Sequence, residues 1–350
     1  MANEIGMHEF DKNRVDLNDK VILITGGTGS FGKQFSRTII SNWNPRKLII
    51  YSRDELKQFE MANELRATLT AAEFSKFRFF IGDVRDSKRL TMAMMGVDYV
   101  VHAAALKHVP IAEYNPMECV KTNMFGAENV ISAAISQNVE KVIALSTDKA
   151  CNPINLYGAS KLASDKTFVA ANNLVGAGKT RFAVVRYGNV TGSRGSVIPF
   201  FREIAKRGKA LPITDTRMTR FWITLQQGVN FVLSNFELMH GGEIFVPKIP
   251  STKITDLAKV IAPELPISEV GIRPGEKIHE MMIAEDDAHA TVDLGDRYAI
   301  EPVFAEFPRP SFKDTHNARS VPEMFSYSSG TNDWWLSEDE MSWMLSQAGV

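Results

Sequence analysis

Tyr157 and Lys161 stand four residues apart in a segment whose pattern predicts a helix over 158 to 171, which puts both on one face. An ammonium beside a phenol there can depress the phenol's pKa, and a phenol near neutrality can take a proton from an alcohol. Y-x-x-x-K also occurs by chance as an ordinary surface helix pair, so the upstream residues decide between the two readings. The apolar run KVIALS (141 to 146) reads as a buried strand, and Thr147, Asp148 and Lys149 follow it. A hydroxyl, a carboxylate and an ammonium thus fall at the carboxyl end of a strand, where open parallel sheets place ligand chemistry.

A second pattern, Gly26, Gly29 and Gly32, lies between the strand-like KVILIT (20 to 25) and an amphipathic stretch. Small residues permit a tight turn and close approach of backbone to a pyrophosphate, whose charge suits a helix N-terminus. The elements that position both patterns are a series of apolar runs separated by helical stretches: KLIIY (47 to 51), RFFIG (78 to 82), DYVVHAA (98 to 104), KVIALS and RFAVVRYG (181 to 188). This alternation predicts an α/β fold with a doubly wound parallel sheet of the Rossmann type, binding a dinucleotide. After the second strand come Ser52 and Arg53, with Asp54 behind. An arginine there suits a 2′-phosphate, which favours NADP; the alternative is that Arg53 caps a sheet edge while Asp54 takes the ribose of NAD. Asp83 and Val84, ending the third strand, could flank the adenine, or Asp83 could cap the next helix. His102 and His108 have no carboxylate or cysteine at ligand spacing and read as packing residues, so no metal site is expected.

The 350 residues carry a formal net charge of -1, with 44% hydrophobic and 23% charged residues. That balance fits a globular protein with a large core and speaks against nucleic-acid binding. Cys119 and Cys151 give neither a metal spacing nor a disulfide framework, and no run is long and apolar enough for a membrane span. A reduced, cytoplasmic protein is expected, in contact with neither membrane nor nucleic acid. Residues 1 to 18 lack periodicity and predict a loose arm. Residues 19 to 190 form the NADP-binding domain. Residues 191 to 350 form mainly a smaller substrate-binding domain, with segments near 225 to 247 returning to the first. Arg194, Arg220 and Arg273 fall in predicted loops where guanidinium groups could clamp phosphate. Ser337 predicts the cap of a docked terminal helix.

The segments TGGTGSFGK, YSRDELKQ, GDVRD, HAAALKHVPIAEYNP, STDKACNPINLYGASK, RYGNVTGSRGSVIPFF, MTRFWIT, GGEIFVPKIPS and GIRPGEK cover roughly residues 18 to 285. With them the chain resembles the extended short-chain dehydrogenase/reductases, and within these the UDP-N-acetylglucosamine 4,6-dehydratases that invert C5 and begin pseudaminic acid biosynthesis for flagellin glycosylation. The resemblance implies an NADP site from Gly26, Thr28, Gly29, Ser30, Phe31, Gly32, Ser52, Arg53, Asp54, Lys57, Asp83, Val84, Ala103, Ala104, Ala105, Lys107, Thr122, Asn123, Tyr157, Lys161 and Val190. It implies that the UDP-sugar is held by Lys107, Asn189, Arg194, Gly195, Ser196, Val197, Pro199, Arg220, Arg273 and Glu276, and that the protein is a homo-oligomer. Thr147 precedes Tyr157 by only ten residues, whereas sugar epimerases and retaining dehydratases separate the corresponding residues by about two dozen. Retaining dehydratases also carry Thr-Asp-Glu where this chain has Thr-Asp-Lys.

The chemistry implied is oxidation at C4 with Tyr157 as base and Lys161 as its partner, then loss of water across C5 and C6. Lys149 is the expected base and Asp148 the expected acid, with Thr147 beside them. A lysine base needs a lowered pKa, expected from Lys161 and desolvation, and Asp148 needs a raised one. Two other functions use parts of this set. A UDP-hexose 4-epimerase needs Tyr157 and the cofactor but neither Asp148 nor Lys149, and a non-catalytic NADP-sensing module needs only the cofactor site.

Overall fold

The computed structural model describes residues 6–176, 178–192 and 197–347. The apolar runs form β1 (Val21–Thr25), β2 (Lys47–Ser52), β3 (Phe77–Ile81), β4 (Tyr99–His102), β5 (Lys141–Thr147) and β6 (Arg181–Tyr187). They continue into β7 (Asn189–Val190), β8 (Leu211–Ile213), β9 (Thr219–Ile223), β10 (Ile244–Pro247), β11 (Ser251–Lys253), β12 (Ile267–Glu269), β13 (Met281–Ile283), β14 (Thr291–Asp293), β15 (Arg297–Ile300), β16 (Arg319–Ser320) and β17 (Tyr327–Ser328).

Among the described residues one sheet holds ten strands in the order β16-β14-β15-β10-β6-β5-β4-β1-β2-β3. From β3 across to β10 every pairing is parallel, and β15, β14 and β16 add antiparallel strands beyond it. All five residues of β1 are buried, as expected for a strand covered on both faces, while β3 at the edge is largely half-exposed. Strand order reverses between β1 and β4, which opens a crevice at their carboxyl ends. The helices Ser30–Asn42 and Leu225–Leu238 pack together, and Gly126–Ser136 packs on Leu156–Leu174. The right-handed connections β1 to β2 and β4 to β5 to β6 run in opposite directions along the sheet. This puts Ser30–Asn42 on one face and Gly126–Ser136 with Leu156–Leu174 on the other, and Leu225–Leu238 joins the first face by its packing on Ser30–Asn42.

The sheet does not stop at residue 190. Beyond the return through Leu225–Leu238 and β10, residues near 291–300 and 319–320 also join it, because hairpin partners short enough to lack a readable period pair onto the edge of β10. The arm differs from expectation too. Residues 6–18 form neither helix nor strand, but Met7, Phe10, Val15 and Leu17 are buried. The Phe10 ring lies 5.0 Å from that of Phe231, and Gln227 and Asn230 donate to the carbonyls of His8 and Glu9. The described part of the arm is thus docked rather than loose. Its apolar residues follow the helix surface they cover, not a period of their own. At the other end, Ser337 accepts a hydrogen bond from the Glu340 amide, and Met344 and Leu345 of the helix Glu338–Gln347 pack with Met7, Ile198, Trp222 and Leu257.

Candidate active site

The glycine turn follows β1. Gly26 has φ +65°, and a Cβ on it would sit 2.9 Å from the amide nitrogen of Ala104. Only glycine fits this approach of two backbone segments. The helix Ser30–Asn42 starts after Gly29 with no side chain capping it, so the amides around Ser30, Phe31 and Gly32 face the end of the sheet with the helix's positive pole. Thr28 is buried and donates to Ser52 at 3.3 Å. The amides of Ala103 and Ala104 donate to Thr25 Oγ1 at 3.2 Å, and the buried His102 ring meets the same oxygen at 2.9 Å, a packing role in line with expectation. Ala105 and Lys107 continue this loop. A turn closed to any Cβ, with free helix amides above it, fits the pyrophosphate of a dinucleotide.

At the end of β2, Ser52 is buried and the Arg53 guanidinium is more than half exposed, 3.8 Å from Asp83. Asp54 instead caps the helix Glu55–Thr68, accepting from the Lys57 amide at 3.0 Å and facing the Lys57 ammonium at 2.7 Å. Asp83 is not a helix cap; Asp86 caps the helix Ser87–Ala93. Burial opposes the charge of Asp83, but hydrogen bonds from Arg85 hold its carboxyl below the usual range. Val84 is buried against Gly126. Thr122 and Asn123 lie in a π-helical turn, Lys121–Phe125, a feature frequent at functional sites. Asn123 accepts from the Leu106 amide at 2.8 Å and donates to Ser160 at 2.9 Å, tying the cofactor loop to the helix Leu156–Leu174. Val190 pairs with Ile223.

That helix begins two residues earlier than its pattern suggests, so Tyr157 stands in its first turn. Asn155 caps it by accepting from the Gly158 amide at 2.8 Å. A Cβ on Gly158 would collide with the Lys149 carbonyl, so glycine lets the helix press Tyr157 against the turn that carries Asp148 and Lys149. Within that turn Asp148 Oδ1 accepts from Thr147 Oγ1 at 2.9 Å and from Lys149 Nζ at 3.1 Å. Lys149 Nζ also lies 3.1 Å from Oε1 of Glu280, a buried carboxylate just before β13.

The electrostatics depart from two expectations. Burial pushes the Tyr157 phenol up to about 12, and the cation that pulls against this is Lys149 rather than Lys161. Lys161 is itself buried, and that burial lowers its pKa. Lys149 is raised, not lowered: burial opposes its charge, but Asp148 and then Glu280 outweigh the burial. Asp148 is raised by burial, as a proton donor requires. Glu280 is the residue that sequence reasoning missed. Its neighbours in KIHEMMI form no motif, and only the fold brings it to Lys149.

Asn189, Val197, Pro199, Arg220, Arg273 and Glu276 are brought together as part of the wall of a cavity of about 560 Å³, with Phe200, Pro212, Thr214 and Met218. Arg220 is not in a loop as its sequence context implied. It lies in β9, is buried, and donates to the carbonyls of Thr219, Ile278 and Lys277. Arg273 is more than half exposed and sits 3.8 Å from Glu276. Arg194, Gly195 and Ser196 lie outside the described residues. Among the described residues no cluster of side chains could hold a metal ion, and no helix is long and apolar enough to cross a membrane.

Residues 22–302 match the family model described as polysaccharide biosynthesis protein. The chain belongs to that family, and its fold is that of the extended short-chain dehydrogenase/reductases. Among its relatives is a Campylobacter jejuni subsp. jejuni serotype O:2 protein named UDP-N-acetylglucosamine 4,6-dehydratase (inverting), 60% identical, with 93% of this chain and 97% of the relative covered. A Rickettsia canadensis protein named UDP-glucose 4-epimerase is 46% identical over 81% of this chain and 83% of its own. The X-ray structure of Pen from Bacillus thuringiensis superposes with a TM-score of 0.85 at 35% identity, covering 96% of this chain and 99% of that one.

Proposed function

We propose that the chain is an NADP-dependent UDP-N-acetylglucosamine 4,6-dehydratase that inverts C5, giving UDP-2-acetamido-2,6-dideoxy-β-L-arabino-hexos-4-ulose. The observation that carries this reading is the Lys149 ammonium held 3.1 Å from Asp148 at the end of β5, next to the turn of Tyr157. An oxidation needs only a base at C4; a second acid and base beside it suit elimination. The name of the relative at 60% identity supports the same substrate and stereochemistry.

The Gly26 to Gly32 turn would hold the pyrophosphate of the dinucleotide, and its nicotinamide would supply the redox chemistry, taking up hydride from C4 and returning it at C6. Tyr157 takes the proton of the C4 hydroxyl as its phenolate, the form that the nearby Lys149 charge and the Thr147 hydroxyl favour against burial. Once C4 is a ketone, the C5 proton is acidic. Lys149 must be a neutral amine to remove it, and Asp148 must be protonated to release the C6 hydroxyl as water. One proton transfer across 3.1 Å, from the Lys149 ammonium to the Asp148 carboxylate, produces both forms together. Burial, which raises Asp148, favours that direction. Lys149 then gains the C5 proton while Asp148 gives its proton to the departing hydroxyl, and the starting charges are restored. The proton that Tyr157 took from the C4 hydroxyl then goes to C5 on the opposite face as hydride reaches C6, which gives inversion and returns Tyr157 to its starting form.

Arg53 and Ser52, with Asp54 committed to Lys57, favour NADP over NAD. A cytoplasmic homo-oligomer acting at the start of pseudaminic acid synthesis for flagellin glycosylation is the setting that the resemblance implies. The epimerase reading has support of its own in the Rickettsia relatives. Incubation of the purified protein with UDP-N-acetylglucosamine and NADP separates the two by mass. The dehydratase product is lighter by one water, whereas recovery of a product of unchanged mass alone would leave the epimerase.

A further inference from the structure

Lys149 is held from two sides. Asp148 lies on its own turn, and Glu280 reaches it from across the fold at the same 3.1 Å. Glu280 is 1% exposed, and its backbone is pinned in both directions by Ser329, whose hydroxyl accepts from the Glu280 amide at 2.9 Å and whose amide donates to the Glu280 carbonyl at 2.8 Å. Its second oxygen, Oε2, is buried without a hydrogen-bond partner, as is Oδ2 of Asp148. Holding a carboxylate in so dry a place is costly unless a cation fixes it, and the cations here are Lys149 and, at 3.7 Å, Arg220.

We propose that Glu280 is the positioning residue of the elimination step, the fixed counter-charge that aims the Lys149 nitrogen at the substrate while Asp148 changes its protonation. The inference rests on the dehydratase reading for its catalytic consequence and on the unliganded geometry for the rest. In the cycle above Asp148 is an acid at one moment and a carboxylate at the next, so it cannot hold Lys149 throughout. Glu280 can. Lys149 and Arg220 keep it ionised against its burial, below the usual carboxylate range. An ammonium has three N–H groups, and contacts to two carboxylates leave one direction open. The charged and titratable groups facing Lys149 are Asp148 from its own turn, Glu280 from the approach to β13, Arg220 from β9 and Tyr157 from the adjoining helix, with Lys277 behind Glu280.

The test uses Glu280→Gln, which keeps the shape and removes the charge, with Glu280→Asp as a second variant that keeps the charge. Competitive labelling of lysines with acetic anhydride, read by peptide mass spectrometry on the unliganded protein, reports the neutral fraction of Lys149 whatever the reaction is. Losing an opposite charge at this range shifts a pKa by roughly one unit or more, so Lys149 in Glu280→Gln should label at least about tenfold faster, and in Glu280→Asp near the wild-type rate. In the presence of UDP-N-acetylglucosamine, Glu280→Gln should lose at least about tenfold in C5 exchange with deuterated water while reduced nicotinamide forms at an unchanged rate and with an unchanged KM. Wild-type labelling of Lys149 in Glu280→Gln overturns the electrostatic part. Equal losses of C5 exchange and of oxidation overturn the positioning role. Failure of the wild-type protein to remove water from the sugar overturns the dehydratase reading instead, and the labelling result then decides the Glu280 contact by itself.

Discussion

The carboxylate of Asp148 accepts a hydrogen bond from the ammonium of Lys149 at 3.1 Å while its other oxygen is buried without a partner. If Asp148 is the acid of the elimination, Asp148→Asn should slow release of water by roughly 10²–10⁴-fold, the usual range for a positioned acid. Reduced nicotinamide should still form from the sugar in a rapid-mixing experiment. Water release at the wild-type rate would remove Asp148 from that role.

Arg53 stands at the end of β2 with its side chain largely in solvent, 3.8 Å from Asp83. A charge-assisted contact to a 2′-phosphate is worth about 1.5–3 kcal/mol, so Arg53→Ala should weaken NADP binding roughly ten- to hundredfold. NAD binding should change little. Titration calorimetry with both cofactors checks this, and equal losses would count against the phosphate assignment.

Gly26 combines φ +65° with a 2.9 Å approach of any Cβ to Ala104. The left-handed conformation costs an alanine about 1–2 kcal/mol before that contact is counted. Gly26→Ala should therefore lower the melting temperature and weaken cofactor binding together. Unchanged binding would mean that the turn does not cradle the dinucleotide.

The dinucleotide fold and the line from Ser146 to Lys161 were legible in the sequence because each is local: a strand, a turn and a helix written consecutively, with glycines marking the close approaches. The antiparallel extension of the sheet was not, since β14 and β16 are three and two residues long and carry no period. Glu280 and the burial of Arg220 were illegible for a different reason. Their meaning depends on which charge they meet, and Lys149 meets Glu280 only after β13 docks beside the turn at residues 148–150. The direction of the Lys149 shift failed for the same reason, because the sequence offered Lys161 as its neighbour while the fold supplies two carboxylates.

His102 supplies a pH prediction. It is fully buried at the end of β4, and burial holds its pKa down to about 3, against 6.5 for an ordinary histidine. The unfolded chain therefore binds a proton that the folded chain refuses between those values. Above about pH 6.5 this residue costs nothing; as pH falls towards 3 the penalty on the fold grows. Urea midpoints should drop more steeply below pH 6.5 in the wild type than in His102→Gln. Parallel curves would show that His102 protonates freely in the fold.

The division of labour between Tyr157 and Lys149 is tested most directly by following C5 exchange with deuterated water and formation of reduced nicotinamide in the same reaction, with Lys149→Ala and Tyr157→Phe. Lys149→Ala should form reduced nicotinamide from UDP-N-acetylglucosamine but leave C5 hydrogen unexchanged, whereas Tyr157→Phe should stop before reduced nicotinamide appears. Because Lys149 also pulls the Tyr157 phenol down against its burial, the ratio of exchange to oxidation is the quantity to read, not the overall rate. A Lys149→Ala protein that washes deuterium into C5 at the wild-type rate would contradict the account and move the base to Tyr157.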